Sequence, residues 1–193
     1  MTKPTYLPLL NSIAVNEAKG EKLLQTWADA TRDAKLKAAL EFVAIREGEH
    51  AMAFTKRMCE LGHAVDEDSA YQVFKDFDGL LACAASDISD ADKVAMLSGG
   101  ERDDKRDSGK KQRDPFVGFF NDTSIDPETG ALLGRYIAEE RDSGRRLQAE
   151  YDRVCAGSRS DDDQVAALCE TVAALQADVA KLSRKLKKKN KAA

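Results

Sequence analysis

The segment Arg46-Glu47-Gly48-Glu49-His50 sets a carboxylate and an imidazole one helical turn apart. Both fall inside an otherwise apolar series: Leu36, Leu40, Val43, Glu47, His50, Phe54, Met58, Leu61. Its steps are three and four throughout, which is one face of an α-helix directed at a core. Burying a charge costs several kcal/mol unless something pairs with it. A metal ion is the leading form of compensation, because carboxylate oxygen and imidazole nitrogen are ordinary ligands of first-row metals. The alternative is a buried network satisfied by hydrogen bonds alone.

Two further series carry the same signature. Tyr6, Leu10, Ile13, Glu17, Gly20, Leu24, Trp27 holds one Glu at a core position, and Gly20 leaves space one turn later. Leu133, Ile137, Glu140, Gly144, Leu147, Tyr151, Val154 holds another. The candidate metal ligands are therefore Glu17, Glu47, His50 and Glu140, with Tyr136 or Tyr151 available to a purely hydrogen-bonded network. Without metal, clustered carboxylates repel, and their pKa values rise until some protonate.

Glu17 followed thirty residues later by Glu47-x-x-His50 resembles the ferritin-like superfamily, especially its rubrerythrin-like branch. The resemblance covers residues 5–62 and, in part, 127–156. It implies an all-α fold, an antiparallel four-helix bundle around a carboxylate-bridged di-iron site. On the matching positions Glu17 is the first-helix ligand, Glu47 a bridging carboxylate, His50 the imidazole ligand and Glu140 the fourth-helix Glu. The chain departs from the pattern twice. Ser143 stands where a second His is expected, and the third stripe, Val73, Phe77, Leu81, Ala84, Ile88, carries no Glu; Asp87 is its nearest acid. The implied site is thus mononuclear, incomplete, or completed by another chain, with iron or another first-row divalent metal.

The elements that would position these groups are helical. The spacing predicts helices over residues 5–30 and 34–61, the second stopped by Gly62. A third is expected over 69–86, and a short one to Leu97, capped by Ser89 with Asp92 and ended by Gly99-Gly100. Asp126 and Pro127 open a helix expected to run to Cys155. Residues 1–156 form the predicted bundle, with a mobile charged loop over 99–114 and an apolar patch, Pro115 to Phe120, that packs back on the bundle or covers an opening. Residues 157–163 are the expected linker, with Ser160 and Asp163 capping a final helix.

Residues 164–193 read as a coiled-coil arm with a basic tail. Val165, Leu168, Val172, Leu175, Val179, Leu182 and Leu186 alternate steps of three and four. Val at a and Leu at d positions favours a parallel two-stranded coil, hence a homo-oligomer through 164–186. The same stripe could instead dock on the chain's own bundle. The net charge of −4, less the seven positive charges of residues 181–193, leaves −11 for the rest of the chain. The Lys cluster could meet nucleic acid or an anionic surface, but no base-reading motif accompanies it.

With 42% hydrophobic and 33% charged residues the chain suits a real core with solvated helical faces. No apolar run approaches the ~18 residues of a membrane span, and the N-terminus has no signal-peptide core. Cys59, Cys83, Cys155 and Cys169 show no paired spacing, which points to a reducing, cytoplasmic setting. The leading function is a non-haem iron protein using oxygen or peroxide, as an oxidoreductase or in iron handling. With no Cys-x-x-Cys pair, an enzyme would need a separate electron donor. The alternative is a non-catalytic helical interaction protein with a degenerate metal site, acting through its coiled coil and basic tail.

Overall fold

The computed structural model describes residues 4–102 and 122–189, and all regular structure among them is helical. By packing, the chain divides into two units, Met1–Asp152 and Arg153–Ala193. The charged stretch 103–114, the apolar patch 115–120 and residues 190–193 lie outside the described residues. No helix among the described residues is long and apolar enough to cross a membrane.

In the first unit α1 spans Leu7–Ala30 and α2 spans Ala34–Glu60. Asp33 caps α2, accepting from the amides of Lys35 and Leu36 at 3.0 and 2.9 Å. Gly62 ends it with φ of 79°. The Gly62 amide bonds the Cys59 carbonyl and the His63 amide bonds that of Met58, each at 2.9 Å. This pair of bonds is a Schellman stop, and the left-handed backbone explains the glycine. With only three residues between them, α1 and α2 are antiparallel: Lys37 reaches the Ala28 carbonyl at one end, and His50 meets Glu17 further along.

The helix expected over 69–86 is shorter than predicted. Only Phe77–Ala85 is helical, as α3. The residues before it lie along α1, whose polar side chains take their backbone groups. Asn11 exchanges two hydrogen bonds of 2.8 Å with the main chain of Asp66. Asn16 donates to the Tyr71 carbonyl and accepts from the Val73 amide, at 2.7 and 3.0 Å. Backbone groups held by another helix's side chains are lost to a local helix. The expected third stripe is buried only at Ala84; Phe77 and Leu81 are half-buried, Val73 is 55% exposed and Ile88 38%.

α4 spans Asp90–Arg102 and runs through Gly99-Gly100, where a stop was expected. Ser89 and Asp92 form the predicted box, with the hydroxyl donating at 2.6 Å and accepting from the Asp92 amide at 3.1 Å. Asp90 accepts from the Trp27 indole and the Thr31 hydroxyl, tying the start of α4 to the end of α1.

α5 spans Pro127–Lys189 without interruption. The expected stop at Cys155 and linker over 157–163 are both helical. No proline occurs there, and a single Gly157 lowers helix stability by only ~1 kcal/mol. Within the first unit α5 runs parallel to α1: Asp126 meets Tyr6, Tyr136 meets Glu17, and Tyr151 stacks on Trp27. Leu10, Phe54, Met58, Leu133 and Ile137 from these three helices share one apolar core.

Candidate metal centre

His50, in the middle of α2, reaches into the gap between α1 and α5. Its Nδ1 lies 3.1 Å from Glu17 Oε2, and its Nε2 lies 2.9 Å from Glu139 Oε2. Glu140 Oε1 stands 3.4 Å from the same Nδ1. The other Glu17 oxygen accepts from the Tyr136 hydroxyl at 2.8 Å. Tyr136 also sets its ring edge-to-face with His50 and with Phe54, which closes the site with aromatic carbon. Glu17 and His50 are 6% and 4% exposed.

Glu17, His50 and Glu140 each offer a ligand atom within 4.8 Å of the other two, so this group could hold a metal ion. Two donors bound at ~2.0–2.2 Å to one ion lie at most about 4.4 Å apart. Glu140 Oε1 supplies the independent sign of fit: it is buried and accepts no hydrogen bond. It stands 3.4 Å from His50 Nδ1, beyond the Glu17 oxygen at 3.1 Å. Leaving a buried acceptor unmet costs about 1–3 kcal/mol, more for a charged group. A cation there would remove that cost.

Glu47 adjoins the group without contributing an atom to it. Its carboxylate lies over Gly20; a Cβ at that glycine would come within 2.7 Å of Oε2. The space expected at Gly20 is thus taken up by Glu47. Burial, then the charges of Glu17 and Glu140, push the Glu47 carboxyl up to about 10, so it is protonated at neutral pH. His50 is pushed up to about 10 as well: burial opposes its charge, but the carboxylates of Glu140, Glu17 and Glu139 outweigh it. In the metal-free protein the imidazolium is the cation of the cluster. Tyr136 is raised by burial and by the charges of Glu17 and Glu140, and stays neutral.

Glu139 lies off the stripe drawn through Leu133, Ile137, Glu140 and Gly144. The buried face is rotated from that line: Tyr136 and Ser143 are buried, while Gly144 is exposed. Tyr136 and Ser143 were the available signal, since Glu139 and Glu140 sit between them. Glu139 also bonds Arg135 Nε at 2.9 Å. Burial opposes its ionisation, yet His50 and Arg135 hold its pKa below the ordinary value.

Ser143, at the position of the missing second His, accepts from Arg46 at 3.1 Å. The same guanidinium bonds Asp142, whose carboxyl Arg146 and Arg46 together hold down to about 2. Asp87 is exposed, and α3 contributes nothing to the ligand group. A cavity of about 270 Å³, lined by Met52, Ala53, Leu132, Tyr136 and the carboxylates of Glu49 and Glu139, opens beside His50.

No family model matches this chain, and neither a curated protein nor a solved structure matches it.

Proposed function

We propose that the protein is a ferritin-like non-haem iron protein whose Glu17, His50 and Glu140 hold one metal ion. The observation that carries this reading is the convergence of those three donors, with Glu140 Oε1 buried and accepting no hydrogen bond. The Glu17…Glu47-x-x-His50 spacing supports the ferritin-like assignment, and with it a bundle of four helices. Ser143 and Arg46 in place of a second His support a single ion over a pair.

Bound iron would supply the electrons that oxygen or peroxide accepts. The surrounding side chains have separate tasks. Glu17, His50 and Glu140 bind; Tyr136 fixes the orientation of Glu17; Glu139 holds His50 Nε2, leaving Nδ1 for the metal side. Glu47 keeps a proton within reach of Glu17. Phe54 and Tyr136 exclude water, and the cavity beside His50 gives a small molecule its approach. Electrons for repeated turnover come from a separate donor.

The second reading, a bundle that keeps this cluster only as a structural network, is favoured by two bonds that exist without any metal: Tyr136 to Glu17, and His50 to Glu17. The metal content of protein purified without oxygen separates the two. Iron near one per chain, followed by oxygen consumption on exposure to air, supports the proposal. Protein that neither carries iron nor takes it up supports the structural network.

A further inference from the structure

The second unit offers an apolar stripe of its own. Of the seven residues from Val165 to Leu186, Leu168 and Val172 have described side chains, and they stand 64% and 51% exposed on one helix face. Three heptads of Val and Leu at a and d positions fit a partner helix bearing the same pattern.

Charge identifies the partner and its direction. Residues 160–180 carry Asp161, Asp162, Asp163, Glu170 and Asp178 and no basic side chain. Lys181, Arg184, Lys185, Lys187, Lys188 and Lys189 follow, with no acid among them. Two copies side by side in the same direction would bring six basic residues of each chain within about one Debye length, ~8–10 Å, of their like. Reversing one copy places each basic end against the other copy's acidic end. The a and d residues suit two strands, but they do not fix the direction as strongly as this polarity opposes the parallel one.

We propose that residues 161–186 pair with the same segment of a second copy of this chain as an antiparallel two-stranded coiled coil. The layers of an antiparallel pair match a with d, so Val165 faces Leu182 of the partner subunit and Val172 faces Leu175 of the partner subunit. Flanking positions carry mostly Gln, Thr and Ser, so the attraction comes from the ends. Three heptads make a short coil, and the pairing is concentration-dependent.

Sedimentation of the full-length protein over a range of concentrations is the test. The parent should reach twice the monomer mass. Val172→Asp should remain a monomer, while Ala177→Glu, on the opposite face, should pair as the parent does. Retained fluorescence of Trp27, in the other unit, shows that the variants are folded. Raising salt from about 0.05 to about 0.5 M should weaken the pairing, since screening removes the end-to-end attraction. Direction is read with the native cysteines replaced by Ser. Mixed Val165→Cys and Leu182→Cys proteins should form a disulfide between unlike chains, and Val165→Cys alone should not. A monomeric parent overturns the proposal, because the stripe would then have no partner copy. So does a dimer unaffected by Val172→Asp, an assembly larger than two, or efficient Val165→Cys self-crosslinking with pairing that tightens in salt.

Discussion

Asp126 at the start of α5 gathers Tyr6 from α1 and Arg57 from α2; further along the same three helices, Glu17, His50 and the Glu139-Glu140 pair meet. In the first cluster every group is answered. Asp126 accepts from Arg57, the Tyr6 hydroxyl, the Thr129 hydroxyl and two backbone amides. Arg57 in turn bonds Thr129, Glu60 and Glu128. Burial opposes the Asp126 charge, but these donors hold its pKa well below the ordinary carboxylate range. In the second cluster acceptors outnumber donors. One imidazole faces three carboxylates, a fourth is held protonated, and the buried Glu140 Oε1 accepts no hydrogen bond. The first arrangement is complete as a helix clamp; the second leaves a group that could hold a metal ion.

His50→Ala should give the largest effect. It removes the positive group that Glu17, Glu139 and Glu140 share, and breaking a buried pair costs about 3–5 kcal/mol. Thermal unfolding of the metal-free variant should show that loss, and metal uptake should vanish. Arg57→Ala should destabilise comparably, by about 3 kcal/mol, yet leave metal uptake as in the parent. Equal loss of uptake in both variants would erase the distinction between the clusters.

pH separates them next. A carboxyl with a raised folded pKa stabilises most below its unfolded value, and that stability is lost as pH rises to the folded value. Glu47 acts this way from 4.5 to about 10, and His50 from 6.5 to about 10. The metal-free protein should therefore weaken between pH 7 and 10, by up to about 1.4 kcal/mol per pH unit for each proton involved. Asp126 works in the opposite sense: its contribution is present above 3.8 and lost only in acid. Denaturant unfolding across this range measures both limbs.

Glu139→Ala should lower metal affinity about 10–100-fold by freeing His50 Nε2, with little change at Asp126. The smallest effect belongs to Glu47→Gln. A protonated carboxyl and an amide are close in shape, so stability at pH 7 should move by less than about 1 kcal/mol. The alkaline slope should become shallower.

The three long helices were legible because their faces repeat regularly. Glu17, Glu47, His50 and Glu140 stood out as polar interruptions of those faces, and their neighbourhood was readable for that reason. Glu139 was not, because one long imidazole can serve carboxylates on either side of a stripe, and a wheel drawn with Gly144 misplaced the face centred on Tyr136 and Ser143. The short third helix was hidden for another reason. Asn11, Ser12 and Asn16 project from α1, yet they decide the conformation of residues 66–73, and local propensity contains no trace of them. The run of α5 through 157–163 reflects a Gly-Ser segment too short, and too free of proline, to end a helix.

Glu17, His50 and Glu140 are the proposed ligands of one metal ion. Anaerobic titration with Co(II), followed by visible absorption, tests it with a metal of similar ligand preference. One Co(II) per chain is expected, with a spectrum of nitrogen and oxygen ligation, and both should be lost in Glu17→Ala and His50→Ala but not in Arg57→Ala. No uptake by the folded parent, or uptake that survives both ligand substitutions, would contradict it.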